Sequence, residues 1–165
     1  MARGTTLEDP TLDLCSAQYD SELLRKERRQ VVANKSENPY LFLSSESVRY
    51  KSIAAADQAL KEVKLSYSNC IKNSGGTERD GLFTKYEFLE LPPLPSNLIT
   101  PSNSVIVHAK IGEDSSTRYL FGAYQYNGDL FTGLYVVSGA TRPFSQEELK
   151  RWLDVAVIMA ERLKS

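Results

Sequence analysis

The stretch Tyr119-Leu120-Phe121-Gly122-Ala123-Tyr124-Gln125-Tyr126-Asn127-Gly128-Asp129-Leu130-Phe131-Thr132-Gly133-Leu134-Tyr135-Val136-Val137 decides the fold. Two runs rich in aromatic and β-branched residues flank Asn127-Gly128, the strongest short-range signal for a tight β-hairpin. With Asn127-Gly128 as a two-residue loop, Tyr124 faces Phe131, Gly122 faces Gly133 and Leu120 faces Tyr135 on one side of the pair. Ala123, Phe121 and Tyr119 face Thr132, Leu134 and Val136 on the other. Large apolar groups on both sides require the hairpin to lie centrally in a sheet or to be covered on both faces.

Upstream of the hairpin, Ser104 to Ile111 sets Val105, Val107, Ala109 and Ile111 against Ile106, His108 and Lys110, a period of two that reads as a strand. Phe83 to Leu91 is a further strand, stopped by Pro92-Pro93-Leu94-Pro95, whose prolines cannot donate ladder hydrogen bonds. Gln30-Val31-Val32-Ala33 and Tyr40 to Tyr50 form another pair around the turn-rich Asn34 to Pro39. Between these strands Ala56, Leu60, Val63, Tyr67 and Cys70 recur on one helical stripe, with Ser52 placed as its N-cap. Downstream, Ser145-Gln146-Glu147-Glu148 is a capping box with Phe144 and Leu149 as its hydrophobic staple. A broad apolar stripe follows, from Leu149 through Trp152, Leu153, Ala156, Met159 and Ala160 to Leu163. The order ββαββββα lacks the alternation of parallel units. It predicts an α+β fold, a largely antiparallel twisted sheet of about six strands with two main helices packed on it.

Residues 1–11 are polar and unpatterned and are expected to form a flexible segment, leaving one domain over residues 12–165. Ser21 to Lys26 suits a short helical turn and Lys72 to Gly81 a loop. Twenty basic residues against 21 acidic ones leave a net charge of -1, so there is no general attraction to nucleic acid or to anionic lipid. The run Arg25-Lys26-Glu27-Arg28-Arg29 is densely basic, but without a nucleic-acid motif it reads as a solvated face. No apolar run reaches the roughly 18 residues that span a bilayer, so contact with a membrane would need an anchor outside this segment.

Chemistry is hard to assemble from these residues. The single histidine, His108, removes most histidine-dependent triads and zinc sites. There is no G-x-S-x-G elbow, phosphate-binding loop, H-E-x-x-H or C-x-x-C. Glu87 and Glu90 lie on opposite faces of one strand and cannot converge. No metal, cofactor or catalytic residue is expected, and the chain reads as a binder rather than a catalyst. A hydrolase using His108 with a distant carboxylate would require that residue to stand in an open pocket. Gly122 and Gly133, flanked by Tyr124, Phe131 and Tyr135, leave side chains missing in the middle of an aromatic face. Either a helix, such as the one bearing Trp152, seats closely there, or these five residues outline an apolar ligand cleft with a tyrosine rim. Cys15 and Cys70 are compatible with one disulfide and equally with two buried thiols.

Leu14-Cys15, then Ser21-Glu22-x-x-Arg25 and Arg28-Arg29-Gln30-Val31, then a helix of Ala54-Ala55-Ala56 type ending in Cys70, together resemble a known group. It is the PknH-like family, the extracellular sensor domains of actinobacterial membrane Ser/Thr kinases, also found in lipoproteins and secreted proteins. The resemblance runs from Leu12 to Leu163. It implies an extracytoplasmic domain with a Cys15–Cys70 disulfide, a role in signal transduction, and a cleft for an unknown small molecule or cell-envelope ligand. The kinase sensor itself carries two disulfides, whereas this chain has cysteines for one, which points to a lipoprotein or stand-alone secreted relative. The family supplies no catalytic or ligand residues to carry over. A competing expectation is a protein-interaction module, homodimeric in one form, that uses an exposed sheet edge or the Pro92 to Pro101 loop.

Overall fold

Gly128 settles the register of the central hairpin. The computed structural model describes residues 2–4, 6–10, 14–15, 17–35, 40–77, 81–94 and 99–163. In it Gly128 and Asp129 form the turn, and Asn127 and Leu130 are the pair that closes it. Of the two turn residues only Gly128 has a positive φ, +61°, which is what a type II′ turn demands at its first central position. The turn therefore starts one residue later than Asn127-Gly128 suggests, and every cross-strand partner moves by two. Gly122 faces Tyr135 and Tyr124 faces Gly133, in place of the expected Gly122–Gly133 and Tyr124–Phe131 pairs. A shift of two leaves each residue on its expected face.

The strands are β1 (Ala2–Gly4), β2 (Arg25–Lys35), β3 (Leu41–Tyr50), β4 (Gly75–Thr77), β5 (Phe83–Phe88), β6 (Ser104–Ile111), β7 (Arg118–Asn127) and β8 (Leu130–Ser138). The helices are α1 (Ile53–Asn73) and α2 (Gln146–Arg162). The sheet order is β1-β2-β3-β8-β7-β6-β5-β4, and all neighbours are antiparallel. The α+β class stands, with two short edge strands beyond the expected six. One, β1, comes from the segment 1–11 that was expected to lie outside the fold, and β4 comes from the expected loop at Lys72 to Gly81. Three residues apiece carry no readable period. The links at 36–39, 78–80 and 95–98 lie outside the described residues.

Period two sorts the side chains of the sheet into two cores. Val105, Val107, Leu120, Tyr124 and Phe131 meet Ala56, Ala59, Leu60 and Val63 of α1. On the opposite face Phe121, Ala123, Leu134 and Val136 meet Leu149, Leu153, Ala156 and Ala160 of α2. The hairpin is thus covered on both sides, as its two apolar faces require. Helix α1 opens where the Ser52 hydroxyl accepts from the Ala55 N–H, and α2 opens with the reciprocal Ser145–Glu148 capping box.

A disulfide joins Cys15 to Cys70 across 55 residues of sequence. In the chain-entropy model such a loop contributes about 4 kcal/mol through the unfolded state. It ties the segment before β2 to the last turns of α1, and the packing there is close. A Cβ on Gly76 would stand 2.0 Å from the Cys15 carbonyl oxygen. Leu14, fully buried beside it, accepts at its carbonyl from Ser66 Oγ (2.7 Å) and from the Tyr19 phenol (3.3 Å).

The basic run is not a solvated face throughout. A bulge between Arg25 and Glu27 brings Arg25 and Arg28 to the same buried side of β2. Arg25 donates to the carbonyls of Leu7 and Asp9, and Arg28 donates to that of Thr6 at 3.1 Å while its Nε pairs with the Glu46 carboxylate. Buried guanidinium groups satisfy N-terminal backbone carbonyls that no strand reaches. Burial pushes the Glu46 carboxyl up to about 7, against the downward pull of Arg28.

Two outcomes follow for stability. Gly76→Ala is expected to lower it by about 2–4 kcal/mol, because backbone cannot retreat from a Cβ. Gly128→Ala, with open space around it, loses only about 1 kcal/mol to its positive φ; urea midpoints compare the two. Glu46 binds its proton more tightly folded than unfolded. Its contribution is therefore complete below the unfolded value near 4.3 and is lost as the pH rises through about 7. The stability of the protein relative to Glu46→Gln is expected to fall across that window in urea titrations, and a flat or rising difference contradicts the assignment.

Candidate functional site

With both faces of the sheet covered, an accessible site has to lie at an edge or at a helix rim. Tyr124 and Phe131 are fully buried between the sheet and α1, with Tyr135 half-buried beside them. No cleft opens there because the tyrosine two residues beyond each glycine on its own strand, Tyr124 after Gly122 and Tyr135 after Gly133, lays its ring over the volume that the missing side chain leaves. A Cβ on Gly133 would stand 2.8 Å from Tyr135 Oη, and one on Gly122 would stand 2.8 Å from Val107 Cγ2 and 3.3 Å from Tyr124 Cε2. The two rings meet edge to face with centroids 5.3 Å apart. The cleft expected from Gly122, Tyr124, Phe131, Gly133 and Tyr135 is filled by its own tyrosines. The helix seated over it is α1 rather than the Trp152-bearing α2.

His108 lies on the α2 face, only 4% exposed, with Nδ1 3.0 Å from the Glu90 carbonyl oxygen and its ring 6.0 Å from that of Phe144. A carbonyl can only accept, so Nδ1 carries the proton and the ring anchors the chain at Glu90. The open pocket that a His108 hydrolase requires is not where this residue lies.

One accessible feature is at β6; a larger and more polar cleft lies between Leu7, Glu8, Pro10, Tyr19, Glu22 and Arg25. Strand β5 accompanies β6 only as far as His108: Glu87 pairs with Lys110, and the Leu89 N–H reaches the His108 carbonyl at 2.8 Å. Leu91 is next in register, opposite Ile106, but among the described residues no backbone hydrogen bond joins the two, and Pro92 and Pro93 beyond it have no N–H to offer. Strand residues two apart point their backbone groups the same way, so the N–H and C=O of Ile106, like the C=O of His108, point away from β7. Ser104, the next in that row, donates its N–H to the Thr100 carbonyl at 2.9 Å. Among the described residues Ile106 has no backbone partner on this side and is left as an open rung of β6.

A cleft of about 550 Å³ opens over that rung. Lys64 and Tyr67 of α1 form one wall, Leu91, Pro92, Pro93, Leu94 and Pro101 the other, with Ser104, Val105 and Ile106 as the floor. The Lys64 ammonium donates to the Ser102 carbonyl at 3.2 Å; among the described residues it forms no ion pair, and the Asp57 carboxylate of the same helix acts on it only through space. The sequence shows both ingredients, a sheet edge and the Pro92 to Pro101 connection, but not that Pro92, Pro93, Leu94 and Pro101 meet Ile106 in one cleft.

A further cleft, about 440 Å³, lies along Leu41, Phe144, Trp152 and Val155. Its arginines are already committed, Arg142 to Glu148 and Arg151 to Glu147. Arg142 and the Ser145 N–H hold the Glu148 carboxyl down at about 2. This groove is the packing seam of α2, with two of its three cations paired and Lys35 at its rim. Among the described residues no cluster of three or more His, Cys, Asp or Glu is arranged to hold a metal ion, and no helix is long and apolar enough to cross a membrane.

Fold and cleft together define an antiparallel α+β domain, helix-covered on both faces, with its open surface at a sheet edge. The crystal structure of the extracellular domain of PknH from Mycobacterium tuberculosis is similar, with a TM-score of 0.55 at 10% sequence identity. The match covers 84% of this chain and 66% of that one. At this identity the likeness shows a shared fold and nothing finer. No protein-family model and no curated protein matches the chain.

Proposed function

We propose that this chain is an extracytoplasmic sensor or ligand-binding domain, its ligand entering the cleft between α1, β6 and the proline-rich connection. The observation that carries the reading is the cleft itself. Its volume of about 550 Å³ falls within the range of small-ligand sites, and apolar walls with few polar groups are their usual lining. The Cys15–Cys70 disulfide supports an oxidising compartment, as does the likeness in fold to an extracellular domain. Attachment to the cell envelope through an anchor outside residues 1–165, as in a lipoprotein, belongs to the same reading. Binding rather than catalysis is supported by the burial of His108, the one histidine of the chain.

Small apolar compounds such as phenol and cyclohexanol, titrated into isotope-labelled protein, test the site by NMR. Saturable shifts are expected at Tyr67, Val105 and Ile106, and Ile106→Trp, which fills the cleft, is expected to remove them while leaving the fold intact. Absence of shifts at these residues, or shifts unchanged by Ile106→Trp, overturns the reading.

A further inference from the structure

The cleft offers more than apolar surface, and this deepens the reading above, on which it rests. Ile106 presents an N–H and a C=O side by side, pointing out of the sheet, at a place where β5 has ended and Leu91, next in register, makes no backbone hydrogen bond to it among the described residues. A hydrocarbon chain or a fused-ring compound would cover both groups and satisfy neither, at the cost of leaving buried donors and acceptors unmade. An extended peptide backbone satisfies both at once, in the pairing by which peptides add to sheet edges. Tyr67 and Leu91 wall the cleft on either side of this rung, where residues alternating along an extended peptide would project. At the rim, Lys64 has only a backbone carbonyl as partner, and an ammonium can donate three hydrogen bonds. It forms no ion pair with a described carboxylate, and Asp57 of the same helix acts on it only through space, so spare donors remain at the rim for an anionic group.

We propose that the cleft binds an extended apolar peptide segment that pairs with Ile106 and places a carboxylate against Lys64. One rung and a short apolar cleft make this a weak, readily exchanging contact, suited to sampling peptides rather than retaining them.

The test uses acetylated pentapeptides of alternating valine, leucine and phenylalanine that end in glutamate, titrated into labelled protein, with decanoate as the lipid-like comparison. The Ile106 amide resonance is expected to shift saturably with peptide. Methylating the peptide nitrogens one at a time is expected to weaken binding about tenfold at the position opposite Ile106, with little effect at its immediate neighbours, because only alternate residues face the edge. Lys64→Gln, a change on the helix surface, is expected to weaken binding several-fold for peptides with the carboxylate and to leave amidated, glutamine-ending peptides unaffected. Tolerance of methylation at every position overturns the proposal, and so does decanoate shifting Ile106 as strongly as any peptide. Either result leaves the cleft a ligand site if phenol still binds there. If phenol also fails to bind, the broader reading falls too.

Discussion

Everything accessible in this protein follows from one constraint, a central hairpin that is apolar on both faces. Tyr124 and Phe131 look one way, and Phe121, Leu134 and Val136 the other. Each set has to be removed from water, and at about 25 cal/mol per Å² of apolar surface neither could be left bare. Two helices answer this, α1 on one face and α2 on the other. Once both faces are occupied, recognition is pushed to the rim, and on β6 a rung stays open where β5 stops short.

The wall of that rim is held in place from a distance. Lys64, Tyr67 and Cys70 are spaced three apart on α1, so they share one side of the helix. The disulfide from Cys70 to Cys15 pins the end of that helix to the segment before β2. Gly76 lets the same segment pass within contact of β4, and Arg25 and Arg28 hold the N-terminal carbonyls of Thr6, Leu7 and Asp9. A staple on one side of the domain thereby fixes the geometry of a cleft lined by the other residues of the same helix. Loss of the disulfide should be felt at Tyr67 as well as in overall stability.

Much of this was legible in the sequence, where patterns are long. Eight residues of strict alternation announced β6, and caps at Ser52 and Ser145 announced both helices. The hairpin was visible, but its register was not. Asn-Gly and Gly-Asp are both acceptable turn pairs, and only the positive φ of Gly128 beside a negative one at Asp129 chooses between them. That choice set each glycine opposite a tyrosine rather than opposite the other glycine, and the tyrosine two residues along the same strand covers each gap. The burial of Arg25 and Arg28 was hidden because charge runs are usually solvated, and a bulge that aligns residues three apart leaves no trace in composition. The open rung at Ile106 was equally hidden, since it depends on β5 ending at Phe88 rather than at Leu91, where the hydrophobic pattern stops.

Amide hydrogen exchange along β6 is the most direct test, because the central claim is that the sheet is covered on both faces and that β6 has an open backbone position at Ile106. Val105 and Val107 pair inward with Tyr124 and Gly122 of β7 and should exchange slowly. The Ile106 amide between them should exchange at least about a hundredfold faster, as expected for an unpaired group at an accessible edge. An Ile106 amide as slow as its two neighbours would mean that the rung is already taken within the fold, and the site proposed on it would not exist.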